Sequence, residues 1–285
     1  MRRRAGNIPY FDVLLRQIDD RPSSEVVKAF GTRHVHWGYF ESPRDADGSA
    51  ASLVRASEAL ARRVCDAAAV GDGQCILDVG CGFGGTIASL NERFCRLTLT
   101  GLNIDHRQLE RAKMYVCAGR GNRSGFVQGD ACQIPFADNT FDVVLAVECV
   151  FHFPSRLRFF REARRVLKPN GRLALSDFVP TALMAPICAP LELLLSHSLN
   201  RYLGSYNRLP CTRSAYRLIA RSTGFRTVRD EDITVNTLPT YPIVRRLLRE
   251  IGLSPAAKAV KQAERFSRTG LVCYRILAFE SKCGS

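Results

Sequence analysis

Short apolar runs alternate with amphipathic stretches along most of the chain. Buried strands read as continuous apolar runs, whereas helices place apolar residues three or four positions apart. The runs that predict strands lie at 75–79, 97–102, 126–127, 141–147, 172–178, 225–235 and 271–280. The stretches that predict helices between them lie at 52–69, 85–94, 105–118, 154–167 and 214–223. This alternation predicts an α/β fold with a parallel, doubly wound sheet.

Two further stretches predict helical additions to this sheet. Residues 1–50 are expected to form a helical N-terminal cap, since 8–18 has helical apolar spacing. Within the cap, the aromatic and histidine-rich segment 34–40 is either a flap over a ligand or a cover for the core. Residues 51–285 form the main domain, interrupted at about 180–208 by a proline-punctuated, leucine-rich insertion. The insertion is either a helical lid over a substrate or an ordinary packing helix.

Composition limits the class of protein more than its chemistry. A chain of 285 residues, 46% of them hydrophobic, can bury a sizeable core. The formal net charge of +14 indicates either an anionic partner or a solvated basic surface. The eleven cysteines include no C-x-x-C pair, which argues against a metal site and indicates reduced, cytoplasmic thiols. Neither a membrane span nor a secretion signal is predicted.

A glycine-rich turn after the run at 75–79 is the candidate cofactor site. Gly80, Gly82 and Gly85 fit the G-x-G-x-x-G pattern of dinucleotide sites, with an acid about 20 residues later. Asp78, Gly80, Gly82 and Gly84 equally fit D-x-G-x-G-x-G, a pattern of S-adenosylmethionine (SAM) sites. Asp78 favours the second pattern, because a carboxylate repels a pyrophosphate but attracts an ammonium and a sulfonium.

Further motifs stand at the ends of the later predicted strands. They are Thr100-Gly101-Leu102-Asn103-Ile104, Gly129-Asp130-Ala131, Glu148-x-x-x-His152-Phe153 and Leu167-Lys168-Pro169-x-Gly171. From roughly residue 50 onwards, the chain resembles the class I SAM-dependent methyltransferases. It is most similar to the group that includes natural-product sugar O-methyltransferases and tocopherol-type C-methyltransferases. The resemblance implies a Rossmann-like, doubly wound seven-stranded sheet, SAM as the cofactor and a small-molecule methyl acceptor.

The resemblance also implies which residues bind SAM. They are Asp78, Gly80, Gly82, Gly84, Asn103, Ile104, Gln108, Asp130, Ala131, Tyr39 and His36. Asn103 stands where the family usually has an acid that holds the ribose hydroxyls. An amide can still bond a hydroxyl, and Gln108 is expected to help. Asp130 would meet the adenine amine, and Tyr39 or His36 the methionine carboxylate.

Three polar residues near strand ends are the candidates for catalysis. If the acceptor is a hydroxyl, His152 is the candidate base, since an unperturbed pKa near 6.5 suits that task. Asp177 is expected to orient His152 and stabilise its imidazolium, and Glu148 to lie beside the methyl-transfer centre. The alternatives are that His152 packs against SAM and that Asp177 caps a turn.

Other functions compete with O-methylation of a secondary metabolite. A C-methyltransferase for an isoprenoid or its diphosphate would use Glu148 to steady a carbocation. A nucleic-acid methyltransferase is disfavoured, because Glu148-Cys149-Val150-Phe151 stands where exocyclic-amine enzymes carry N/D-P-P-Y/F. A non-catalytic binding module is disfavoured by the intact glycine turn. A homodimer is compatible with the sequence, which does not fix the oligomeric state.

Overall fold

A computed structural model describes residues 9–184 and 211–282 of the chain. The helices are α1 (Pro9–Asp20), α2 (Glu25–Phe30), α3 (Ala50–Ala67), α4 (Gly85–Arg93), α5 (His106–Tyr115), α6 (Arg156–Val166), α7 (Arg213–Ser222), α8 (Thr234–Thr237), α9 (Thr240–Glu250) and α10 (Ser254–Arg268). The strands are β1 (Cys75–Val79), β2 (Thr98–Asn103), β3 (Arg123–Gln128), β4 (Phe141–Val147), β5 (Leu167–Pro180), β6 (Phe225–Asp232) and β7 (Val272–Ser281).

The seven strands form one mixed sheet in the order β3-β2-β1-β4-β5-β7-β6. Strands β1 to β5 pair in parallel, so the predicted parallel arrangement holds for this part of the sheet. The first strand lies near the centre, and the chain moves outwards from it on both sides. The predicted Rossmann-like, seven-stranded sheet is therefore confirmed.

The pairing register sets the level at which each strand ends. Val79 of β1 is opposite Leu102 of β2, and Val147 of β4 is opposite Ser176 of β5. The carboxyl ends of the parallel strands therefore meet at one edge of the sheet. In open α/β sheets, ligands bind at that edge.

The two most central strands are also the most apolar. Ile76 and Leu77 of β1 are fully buried, as are Val144 and Leu145 of β4. Strands covered on both faces carry continuous apolar runs, which is why 75–79 and 141–147 could be read from the sequence without error.

The structure differs from the predicted elements most clearly in three places. The strand predicted over 225–235 ends at Asp232, and α8 begins at Thr234. Strand β3 begins at Arg123 rather than 126, because in-register pairing with β2 draws three less apolar residues into the ladder. Residues 168–171, predicted to be a tight turn after α6, lie instead within β5. Asn170 has a φ of +61°, and the β4–β5 register is irregular there, so the chain bends without leaving the sheet.

The chain divides into two compact units. One contains Met1–Leu60, Phe178–Arg213 and Asp232–Arg275, and the other contains Ala61–Asp177, Ser214–Glu231 and Ile276–Ser285. The predicted boundary near residue 50 stays a prediction. Most of the predicted insertion at about 180–208 lies outside the described residues.

Candidate functional site

The glycine-rich turn leaves β1 and enters α4. The N–H groups of Gly80 and Cys81 both donate to the Leu102 carbonyl, at 2.8 and 3.1 Å, which fixes the turn against β2. Gly80 has a φ of +71°, and a Cβ there would lie 2.7 Å from the Cys149 Cβ. A larger residue is therefore excluded at this position.

Gly82 meets a different environment within the same turn. Its φ is +55°, and a Cβ built on it would have the Gln108 Oε1 as its nearest neighbour, 3.9 Å away. The described residues thus leave open space over Gly82, where a ligand can approach the backbone closely. Gly84 closes the turn as the left-handed N-cap of α4.

Asp78 is a buried carboxyl group beneath this turn. Its side chain is hydrogen-bonded to Thr86 on α4, and burial raises its pKa to about 8. Its Oδ2 has no hydrogen-bond partner among the residues that the structure describes. A buried polar atom of this kind ordinarily finds a partner, and an ammonium group would supply both a donor and a charge. The residue therefore fits the amino-acid end of SAM.

A network of amides stands at the end of β2. The Asn103 Nδ2 donates to the Gln108 Oε1 at 3.1 Å, and the Asn103 Oδ1 accepts from the Asp105 N–H at 3.2 Å. Asp105 caps α5 by accepting a hydrogen bond from the Arg107 N–H. The Asn103 Nδ2 has a second N–H and the Oδ1 a second lone pair, and a ribose hydroxyl can bond to either.

The end of β3 lies next to this network. The Gln128 Nε2 donates to the Ile104 carbonyl at 3.0 Å, which ties the two strand ends together. Beyond β3, the Asp130 Oδ1 accepts from the Cys132 N–H at 2.8 Å, and Ala131 is buried. The carboxylate is thereby held in one orientation, as a group that meets an exocyclic amine must be.

The segment after β4 carries two of the catalytic candidates. Glu148 has a φ of +50°, a conformation that costs free energy for a non-glycine residue and is often found at functional sites. Its N–H donates to the Ser176 Oγ at 3.1 Å. His152 ends a 3-10 turn, Val150–His152, and its ring contacts the Phe151 ring at 4.3 Å between centroids, with the planes tilted by 50°. Burial lowers the His152 pKa to about 4, so the expectation of an unperturbed value near 6.5 is wrong.

Asp177 on β5 is fully buried among polar partners. Its Oδ2 accepts from the Arg156 guanidinium, with the Nη2 at 3.0 Å and the Nε at 3.3 Å. The Tyr216 hydroxyl donates to the same oxygen. The predicted pairing of Asp177 with His152 stays a prediction.

Two of the predicted cofactor residues belong to the other compact unit. His36 is buried, and its Nδ1 donates to the Trp37 carbonyl at 2.8 Å while its Nε2 meets the His34 Nδ1 at 3.1 Å. Both ring nitrogens therefore already have partners. The Tyr39 backbone N–H donates to the Ala56 carbonyl at 2.8 Å. The assignment of Tyr39 or His36 to the methionine carboxylate stays a prediction.

The sequence reasoning missed four residues that the structure adds around these candidates: Thr86, Arg156, Ser176 and Tyr216. Ser176 is the residue before Asp177, and its place at a strand end was a usable signal. The other three are contributed by helices, and helical residues give no comparable pattern.

Comparisons with known proteins agree with the geometry. A model of the methyltransferase domain matches residues 77–175. Methyltransferase GfsG of Streptomyces halstedii is 32% identical over 238 residues, which cover 82% of this chain and 81% of that protein. The 27-O-demethylrifamycin SV methyltransferase of Amycolatopsis mediterranei (strain S699) is 32% identical over 213 residues, which cover 73% and 72%.

A solved structure shares the fold at lower identity. The crystal structure of geranyl diphosphate C-methyltransferase from Streptomyces coelicolor A3(2), in complex with Mg²⁺, geranyl diphosphate and S-adenosyl-L-homocysteine, superposes with a TM-score of 0.71. The identity is 19%, and the match covers 97% of this chain and 99% of that one.

Within residues 9–184 and 211–282, no helix has both the length and the apolar character needed to cross a membrane. The glycine turn, the buried Asp78 and the polar strand ends fit SAM, which is the cofactor. Two relatives at 32% identity match over more than two thirds of their own length. The chain therefore belongs to the class I SAM-dependent small-molecule methyltransferases.

Proposed function

We propose that this protein methylates a hydroxyl group of a secondary metabolite, with His152 as the base that accepts the hydroxyl proton. The observation that carries the proposal is the half-buried, neutral imidazole of His152 in the turn just beyond the end of β4. The printed name of the Amycolatopsis relative, which describes methylation of an oxygen, supports the same reaction.

The residues proposed to bind each part of SAM lie at the ends of successive strands. Asp78 and the three glycines would bind the methionine end of SAM, Asn103, Ile104 and Gln108 the ribose, and Asp130 and Ala131 the adenine. Tyr39 is the proposed contact of the methionine carboxylate. The cofactor supplies a methyl group that its sulfonium already activates, so the protein contributes alignment and exclusion of water.

His152 would act on the proton rather than on the methyl group. With a pKa of about 4, the ring is neutral throughout the physiological pH range and is always able to accept a proton. The same burial makes the imidazolium costly. The carboxylate of Glu148 is the group proposed to offset that cost, since an opposite charge nearby favours the charged form. Asp177 is already paired with Arg156, so its proposed effect on His152 is to orient it.

The acceptor is inferred to be a small molecule rather than a nucleic acid. The segment Glu148-Cys149-Val150-Phe151 has neither the proline nor the amide that would stack and bond a flipped base. We also propose a cytoplasmic location, because all nine cysteines in the described residues are free thiols. A homodimer, which is compatible with the sequence, stays untested.

The experiment that tests this function uses SAM labelled with ¹³C at the methyl group. The protein is incubated with 27-O-demethylrifamycin SV, and products are followed by ¹³C NMR. We expect a new O-methyl resonance. A methyl group on carbon would contradict the proposal and support the isoprenoid-type C-methyltransferase, for which geranyl diphosphate is included as a second substrate.

His152→Ala is the matched variant for the same assay. Removal of a general base lowers turnover by about 10²–10⁴-fold. Binding of S-adenosylhomocysteine, measured by calorimetry with NAD as the control ligand, should stay within a few-fold of the parent value. Normal turnover of His152→Ala would show that the imidazole only packs in the site.

A further inference from the structure

The segment that joins β4 to α6 is tied at both ends to two successive residues of β5. At its start, the Glu148 N–H donates to the Ser176 Oγ at 3.1 Å. At its end, Arg156 donates to the Asp177 Oδ2 at 3.0 and 3.3 Å. Both ends of the segment that contains His152 are therefore fixed relative to β5.

The second tie is buried in full. Arg156 is 7% exposed, Tyr216 1% and Asp177 0%. The Tyr216 hydroxyl accepts from the Arg156 Nε at 3.1 Å and donates to the Asp177 Oδ2. These three groups, called the β5 clamp below, thus join α6, α7 and β5 through one closed set of hydrogen bonds.

Stability alone is a weak reason for this arrangement. Removing an arginine and a carboxylate from water costs several kcal/mol per ion, and apolar residues of similar volume often serve as well or better. A buried pair does, however, fix geometry, because a guanidinium fork accepts few orientations relative to its carboxylate. The clamp begins only four residues after His152, so the geometry that it fixes is that of the candidate base.

We propose that Arg156 and Tyr216 are positioning residues that act on His152 through the β5 clamp. Asp177 anchors this clamp, so its effect on His152 is exerted through the segment 149–155. The proposal rests on the function proposed above, in which His152 is the base. A displacement of about 1 Å at a reacting group can cost 10²-fold in rate, which gives such a clamp its purpose.

The test uses Tyr216→Phe, which removes one hydroxyl and keeps the buried ring. A second variant, Arg156→Lys, keeps the charge but loses the fork. Arg158→Lys is the control, because Arg158 is exposed in the first turn of the same helix. Thermal unfolding and the dissociation constant of S-adenosylhomocysteine establish that each variant folds and retains the cofactor site.

The first readout needs no methyl acceptor. The ring resonances of His152, assigned by comparison with His152→Ala, are followed by NMR from pH 8 to pH 4.5. In the parent protein and in Arg158→Lys the ring should stay neutral over most of this range. In Tyr216→Phe a loosened segment admits water, and protonation should begin at least one pH unit higher.

The second readout is turnover in single and double variants. We expect Tyr216→Phe to lower kcat by about tenfold with little change in the KM of the acceptor, as a misaligned base would. In the His152→Ala background the same substitution should have almost no further effect on kcat, because the group that it positions is gone.

The outcomes separate this inference from the function on which it rests. If His152→Ala turns over normally while Tyr216→Phe shifts the titration, the clamp holds the ring but the ring is not the base. If His152→Ala is slow while Tyr216→Phe and Arg156→Lys match the parent protein in titration and kcat, the clamp is refuted. Equal losses of kcat with and without His152 would also refute it, since they would indicate a purely structural role.

Discussion

At the scale of single residues, Asp78 shows how a buried acid can be prepared for a cationic ligand. Its pKa of about 8 means that the carboxyl group is largely protonated at neutral pH when no ligand is bound. Because an ammonium group favours the ionised form, ligand binding should draw the pKa down and release the proton. The binding of the cofactor is therefore coupled to pH through one residue.

This coupling predicts the pH dependence of cofactor affinity. Below pH 8 the carboxyl group must lose its proton before it pairs with the ammonium, so S-adenosylhomocysteine should bind up to about tenfold more tightly for each pH unit gained between pH 6 and 8. Calorimetry at pH 7 in buffers of different ionisation enthalpy should detect release of nearly one proton. Asp78→Asn should bind weakly and release none. An affinity that does not change with pH in the parent protein would contradict this account.

At the scale of elements, a chain of hydrogen bonds ties the segment 34–40 to α3. The His36 Nδ1 donates to the Trp37 carbonyl, so the His36 Nε2 accepts from the His34 Nδ1. The His34 Nε2 then meets the Glu58 carboxyl group at 2.8 Å. Each of these three hydrogen bonds needs one proton, carried by an imidazole ring or by the Glu58 carboxyl group. Burial and the charge of His34 lower the His36 pKa to about 3, so His36 is the neutral member.

We expect His36→Ala to act on stability and hardly on cofactor binding. The variant loses a buried ring and leaves two polar groups without their partner, which costs on the order of 2 kcal/mol. Thermal unfolding should therefore show a fall of several degrees, while the affinity for S-adenosylhomocysteine changes by at most a few-fold. Glu58→Gln is the milder control, because its amide can still donate to His34. A large loss of affinity with normal stability would instead make His36 a cofactor ligand.

The elements also show what the sequence could and could not predict. Strands buried on both faces were predicted to the residue, and the parallel topology then placed Asp78, Asn103, Glu148 and Asp177 at one edge of the sheet. Partners contributed by helices carry no periodic signal; Tyr216, for example, lies 39 residues along the chain from Asp177, which it contacts. The His152 pKa was predicted wrongly for the same reason, since burial is a property of packing and not of spacing.

At the scale of the whole molecule, three strongly shifted groups among the described residues dominate how stability varies between about pH 5.5 and pH 8. Burial raises the pKa of Asp78 to about 8 and lowers those of His36 and His152 to about 3 and about 4. Carboxylates whose pKa is lowered in the folded state, such as Asp47 at about 2, also make stability rise with pH, but only below about pH 5.5, where their unfolded forms take up protons. The balance of protons between the folded and unfolded chain therefore changes sign near the ordinary pKa of histidine.

The sign follows from counting protons in each interval. Between about pH 4 and 6.5, His36 and His152 are protonated in the unfolded chain and neutral in the folded chain. Asp78 is protonated in the folded chain and ionised in the unfolded chain. The unfolded state thus holds one more proton, and stability rises with pH. Between 6.5 and 8 only Asp78 differs, the folded state holds one more proton, and stability falls by at most about 1.4 kcal/mol per pH unit.

We therefore expect the ligand-free protein to be most stable near pH 6.5, as measured by urea unfolding at half-unit pH intervals. Asp78→Asn should remove the descending limb above pH 6.5 and leave the ascending limb in place, because the asparagine does not ionise. Saturating S-adenosylhomocysteine should flatten the same limb in the parent protein, since its ammonium offsets the cost of the ionised carboxylate. A stability that keeps rising from pH 6.5 to 8 without ligand would mean that Asp78 is ionised before the cofactor arrives. In that case the buried carboxylate would already have a cationic partner within the folded chain.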